Sequence, residues 1–190
     1  MSITDKRIQI ITSAIDLFVQ KGFDIVSVQE IAEAAEVAKG TIYLYFPSKD
    51  ALIDGVFDYC HERNVQACDE GLDEEPTAIG KLQKRMRNAL LWGFTHSKEA
   101  IVEQMYLRTP GRGPGTRYTQ QAKHVASVDK IIRAGTAAGE LKQAPSPLLG
   151  EAFFGIGGAY YYFFREHPEA VDDENIWRLC MQMVRDCLLR

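Results

Sequence analysis

Ser27-Val-Gln-Glu-Ile-Ala-Glu-Ala-Ala-Glu-Val-Ala-Lys-Gly-Thr-Ile-Tyr-Leu-Tyr-Phe-Pro-Ser-Lys49 reads as two short helices joined by a tight turn, a helix-turn-helix. Ser27 and Glu30 have the spacing of a capping box, in which the Ser hydroxyl accepts from the third helical N–H and the Glu carboxylate accepts from the N–H of the cap residue. A helix is therefore predicted to begin at Val28. Ile31, Ala34 and Ala35 give it one apolar side, small enough for a second helix to come close. The turn falls near Glu36-Val37. The second helix runs from about Ala38 to Phe46, with Ile42 and Phe46 toward the core and Lys39, Thr41, Tyr43 and Tyr45 outward, where all four can reach phosphate or base edges. Pro47 ends it and Ser48 can cap the next helix. Lys49 then stands at a helix start, where a cation opposes the dipole unless an anion lies nearby.

The order Ile-Ala, Val-Ala-Lys-Gly-Thr-Ile-Tyr-Leu-Tyr-Phe, Ser-Lys-Asp-Ala-Leu resembles the DNA-binding segment of the TetR family of bacterial transcription regulators. The likeness covers Ile8 through Leu52 and is most specific from Val37 to Leu52; the rest matches in length and helical character only. One departure is Glu36, where the family usually has Gly in a turn needing positive φ, so local strain is expected there. By position within the motif, the resemblance implies phosphate or flank contacts for Ser27, Gln29, Tyr45 and Lys49. It places Lys39, Thr41 and Tyr43 in the groove, with Gly40 allowing close backbone approach. It also implies a homodimer paired through its last two helices and a small-molecule pocket enclosed by the middle helices. Two recognition helices about 34–36 Å apart would read successive major grooves of a palindromic operator.

Composition agrees with a globular protein and limits the kind of DNA binding. The chain has 190 residues, 46% apolar and 25% charged, enough for one large or two small domains with a sizeable core. Its net charge is -4, and residues 1–50 carry five Lys/Arg against seven Asp/Glu. A basic footprint is missing, which suits a binder that relies on a few placed contacts rather than one that coats DNA. The cysteines stand as Cys60/Cys68 and Cys180/Cys187, each pair on one helix face, and read as buried thiols of a cytoplasmic protein. No signal peptide is read, since Asp5, Lys6, Arg7 and Asp16 interrupt the apolar start.

The remaining chain is helical by pattern. Ile8, Ile11, Ala14, Ile15, Phe18 and Val19 mark a first helix stopped at Gly22, and residues 48 to about 70 form a longer one broken by Glu70-Gly-Leu-Asp-Glu-Glu-Pro76. Helices are predicted from about Pro76 to Phe94 and from Lys98 to Leu107, followed by a loop over Arg108 to Arg117. Another runs from about Thr116 to Ala138 and ends at Gly139. Ser146 as cap and Pro147 as first residue open a helix that is apolar from Leu148 to Phe164 except for Glu151, too short for a membrane span and so expected to be buried on most sides. Asp172, Asp173 and Glu174 begin the last helix, whose stripe is Ile176, Leu179, Met183, Val184 and Leu188. The two C-terminal helices, with glycines at 150, 155, 157 and 158, suit an intersubunit four-helix bundle.

The expectation is thus an all-α protein of about nine helices: a three-helix DNA-binding domain in residues 1–50 and a ligand-binding and dimerisation domain in residues 51–190. The function read is a sequence-specific transcription regulator, a repressor released from its operator by an aromatic or apolar effector. An activator of the same fold, or a helical small-molecule binder without DNA binding, are the alternatives. Trp92, Glu151 and Phe154 are the candidate effector residues, suited to a flat cation by ion pairing and stacking. No enzyme is expected. Neighbouring Cys60 and His61 point about 100° apart on a helix, and no phosphate loop, nucleophile elbow, cofactor motif or metal-ligand spacing is present in the sequence.

Overall fold

The computed structural model describes residues 3–109 and 122–189, and among these it contains nine α-helices and two short 3-10 helices, Leu72–Glu74 and Pro168–Asp172. In chain order the helices are α1 (Ile3–Lys21), α2 (Val28–Ala34), α3 (Lys39–Tyr45), α4 (Lys49–Asp69), α5 (Ala78–Thr95), α6 (Ser97–Arg108), α7 (Ala122–Ala137), α8 (Ser146–Glu166) and α9 (Glu174–Leu188). Beyond Thr109, the predicted loop to Arg117 and the expected helix start at Thr116 lie outside the described residues. Two compact units result: Met1–Asn64 with His96–Gly115, and Val65–Thr95 with Thr116–Arg190.

In the first unit, α1 buries Ile10, Ile11, Ala14, Ile15 and Phe18 and packs against α2 and α6. Ile8, expected in that stripe, is exposed, and Ile10, which the stripe left out, is fully buried. Gly22 stops the helix in the left-handed region and donates its N–H to the Phe18 carbonyl at 2.8 Å. On α2 the buried positions are Val28, Ile31, Ala32 and Ala35, the i, i+3, i+4, i+7 face of a helix, so the small residue turned inward is Ala32 and not Ala34.

The turn between α2 and α3 is a Schellman motif: Val37 N–H donates to the Ala32 carbonyl at 2.9 Å and Glu36 N–H to the Glu33 carbonyl at 3.1 Å. Glu36 occupies the left-handed position with φ 51°, the strain its side chain foretold. Glu36→Gly should therefore stabilise the chain by up to about 1 kcal/mol, the relief of a Cβ clash less the greater freedom of glycine when unfolded. Urea unfolding of the two proteins checks this, and a lower midpoint for the glycine variant would contradict it.

The second unit is built from α5, α7, α8 and α9, with Leu82, Met86, Val128, Ile132, Phe153, Phe164, Trp177 and Val184 in its core. Gly135 of α7 packs directly on α5, where an added Cβ would stand 2.4 Å from that of Ala78. α8 opens one residue earlier than expected, with Pro145 at the cap position and Ser146 already helical. The Ser146 hydroxyl instead bonds the Asp129 carboxylate, which the Arg133 guanidinium first, and then that hydroxyl, hold below its ordinary value. α8 buries only Leu149, Phe153, Tyr160 and Phe164 along one side, leaving Leu148, Tyr162 and Phe163 exposed. α9 likewise buries Trp177, Cys180, Val184 and Leu188 while Leu179 and Met183 of its expected stripe face out. A single chain supplies packing for one side of each helix. Cys60, Cys68 and Cys180 are buried and in no disulfide, while Cys187 is half-buried; burial, reinforced by the carboxylates of Glu103 and Glu99, pushes Cys60 up to about 12.

Candidate nucleic-acid interface

Local bonds set the frame of the helix-turn-helix. The Ser27 hydroxyl accepts from Glu30 N–H at 3.1 Å, and Glu30 Oε2 accepts from Ser27 N–H at 2.8 Å, completing the capping box. Ser48 Oγ accepts from Ala51 N–H at 3.0 Å and caps α4. Behind α3, Phe46 is seated under the Arg7 guanidinium, 5.2 Å from its ring centroid, and against Gly55 of α4. Only a glycine fits there, since a Cβ at residue 55 would lie 2.6 Å from the Phe46 ring. The face that α3 turns away from the core is thereby fixed.

The Lys21 ammonium lies 2.8 Å from Glu30, and together with the Ser27 N–H and hydroxyl it holds that carboxyl down to about 2. A carboxyl depressed in the folded state contributes stability that is present above its ordinary value of 4.5 and lost as pH falls toward about 2. Wild type should therefore melt above Glu30→Gln at pH 7, and the gap should close across that acid window. A gap independent of pH in thermal melts would remove the charge from the explanation.

The expected contact residues fall into distinct groups. Lys39, Gly40 and Tyr43 are exposed on α3, and Thr41 is half-buried. Tyr45 is half-buried and leans on the first unit's core, which leaves only part of its ring outward. Ser27 and Gln29 are exposed at the start of α2, Gln29 donating to Glu33 at 2.9 Å. Lys49 resolves its conflict with the helix start by donating to the Asp24 carbonyl at 3.1 Å, which also ties α4 to the loop before α2. Leu44, to which the motif assigns no role, is 83% exposed on α3.

The candidate effector residues all belong to the second unit. Trp92 is buried on α5, and Phe154 is half-buried, edge-on to Phe153 at 5.7 Å and packed on the core. Glu151 is exposed, since it lies about 160° around α8 from the side marked by Leu149 and Phe153.

Residues 10–56 match the pattern described as bacterial regulatory proteins, tetR family. A fatty acid metabolism regulator protein of Bacillus subtilis (strain 168) is 31% identical over 140 residues, which cover 73% of this chain and 72% of that protein. The chain belongs to the TetR family. A second relative from the same organism, the uncharacterized HTH-type transcriptional regulator YuxN, is 44% identical over 59 residues, 31% of this chain and 20% of that protein's length. In fold, this TetR-family chain is similar to a TetR family transcription regulator from Marinobacter aquaeolei VT8, with TM-score 0.80 and 20% identity over 97% of this chain and 95% of that one. It is also similar to the transcriptional regulator FadR of Bacillus subtilis in complex with stearoyl-CoA, with TM-score 0.79 and 23% identity over 95% of this chain and 98% of that one. Membership makes it a DNA-binding transcription regulator rather than an enzyme. Among the described residues no helix is long and apolar enough to cross a membrane.

Proposed function

We propose that this chain is a homodimeric, ligand-responsive repressor that acts in the cytoplasm and is released from a palindromic operator by an apolar effector carrying a long acyl chain. In this reading residues 1–50 read DNA, and residues 51–190 hold the effector and the dimer contacts. The observation that carries it is the outward face of α3, with Lys39, Gly40 and Tyr43 free of the unit's own packing. The exposed Leu148, Tyr162, Phe163, Leu179 and Met183 on α8 and α9 support the dimer, because they are the apolar surface a second copy would cover. Sitting across a promoter, such a dimer represses by excluding polymerase.

The acyl effector is supported by the likeness to the fatty acid metabolism regulator and to the protein crystallised with stearoyl-CoA. Trp92 and Phe154 are assigned to the effector site. The exposure of Glu151 favours a charge near the start of α8 over a cavity carboxylate, and with it an acyl effector over a flat cation. Whatever binds must favour a state unsuited to DNA, since equal affinity for both states shifts nothing.

Selection of bound DNA from a random pool tests the reading: a palindrome should be enriched, and stearoyl-CoA should release it while an aromatic cation does not. On the selected site, Lys49→Ala should weaken binding to matched and scrambled DNA alike and lower the salt slope by about one unit. Lys39→Ala should change sequence preference, with a loss of about 1–3 kcal/mol if it pairs with guanine. Failure to enrich any sequence at low salt would overturn the DNA reading, and release by the cation instead would overturn the effector.

A further inference from the structure

At about 100° per residue, the seven residues of α3 sort cleanly around its axis. Ile42 is buried, Tyr45 leans on the core, and Phe46 closes the helix inside it. The direction opposite that side falls between Gly40 and Leu44, one turn apart, with Lys39 and Tyr43 on one flank and Thr41 on the other. The centre of the outward face is therefore a glycine and a leucine. Leu44 is more exposed than any other large apolar side chain among the described residues.

Gly40 answers to nothing in its own chain. Its φ lies outside the left-handed range, and a Cβ added there would meet no atom within 4 Å. Glycine inside a helix weakens it, and a leucine in water forgoes the gain of burial. A lone exposed leucine is ordinary on a protein surface. Here it stands at the centre of a face left bare one turn earlier, on the second helix of a helix-turn-helix, the helix that enters the major groove.

We propose that Leu44 is a specificity-determining residue that packs its methyl groups on the C5-methyl of a thymine, with the bare backbone at Gly40 letting α3 sit deep enough to reach it. The proposal rests on the DNA-reading role of α3. Thymine is the one base whose major-groove edge carries a methyl group, and so the one that offers an apolar side chain a partner. Lys39 and Tyr43 on the flank are left to the hydrogen-bonding edges and phosphates.

The test uses the full chain and the sequence it enriches from a random pool, with each thymine replaced in turn by deoxyuridine, which removes the methyl alone. At one thymine per half-site, the replacement should weaken wild type about fourfold, the worth of one buried methyl-sized group. Leu44→Ala should bind the thymine and deoxyuridine sites equally. Gly40→Ala should raise the melting temperature slightly, its new methyl meeting nothing in the protein and favouring the helix, yet lose about tenfold or more in affinity from the clash with DNA. Indifference of wild type to every deoxyuridine, or discrimination that survives in Leu44→Ala, would overturn the thymine contact while leaving DNA reading intact. A pool from which nothing is enriched would overturn both.

Discussion

Asp69→Ala is expected to destabilise the second unit by about 3 kcal/mol, the lower end of what breaking a buried ion pair costs. The Arg85 side chain is 2% exposed, and its Nε donates to Asp69 Oδ1 at 2.8 Å while Nη2 lies 2.9 Å from His124 Nδ1. Ser127 Oγ donates to the same carboxylate at 3.0 Å. Removing Asp69 leaves the guanidinium without its anion in a place water hardly reaches. Removing Arg85 is less costly, because the Asp69 side chain is 36% exposed and can turn to solvent. Arg85→Met should therefore lose only about 1 kcal/mol, and the double variant Asp69→Leu with Arg85→Met should lie well above the sum of its parts. Urea unfolding followed by fluorescence suits the measurement, since Trp92 and Trp177 both lie in this unit. Equal single losses that simply add would show that the pair is not coupled in this way.

Trp177→Ala should cost about 3–5 kcal/mol, the range for emptying a buried aromatic site. The side chain is 1% exposed, stacks on Phe164 with centroids 4.6 Å apart, and donates its Nε1 proton to the Val171 carbonyl at 2.7 Å. The Arg87 guanidinium also lies 5.0 Å from the ring centroid and pairs with Glu174. Trp177→Phe keeps most of the volume but orphans the Val171 carbonyl, and should lose about 1–3 kcal/mol. Chemical denaturation distinguishes the two, and an alanine variant no less stable than the phenylalanine one would mean the cavity collapses and the bond dominates.

Features that act within a turn of one another could be read from the sequence. The Ser27–Glu30 box, the Ser48 cap, the stops at Gly22 and Gly139 and the strained Glu36 all join residues at most five apart, so residue type and spacing suffice to foresee them. The outward placing of Lys39 and Tyr43 on α3 was recognisable for the same reason. Leu44 was not, because an apolar residue on a short amphipathic helix reads as core until the packing of Ile42, Tyr45 and Phe46 fixes which side faces out. The join of His96–Gly115 to the N-terminal unit was equally hidden. It depends on contacts such as Lys98 with Asp16 at 2.6 Å, His61 with Glu103 at 3.1 Å and the Tyr106 ring stacked 4.1 Å from Phe57.

By itself the sequence determined the all-helical class, the helix-turn-helix and the family, since periodicity, caps and a contiguous motif are local properties carried by neighbouring residues. Tertiary structure alone decided that Ala32 and not Ala34 is turned inward, that Asp69, Arg85, His124 and Ser127 meet, and that α8 and α9 each keep an apolar side exposed. Those outcomes depend on how a helix is rotated about its axis against neighbours distant along the chain, and a rotation of one residue's angle exchanges a buried side chain for an exposed one.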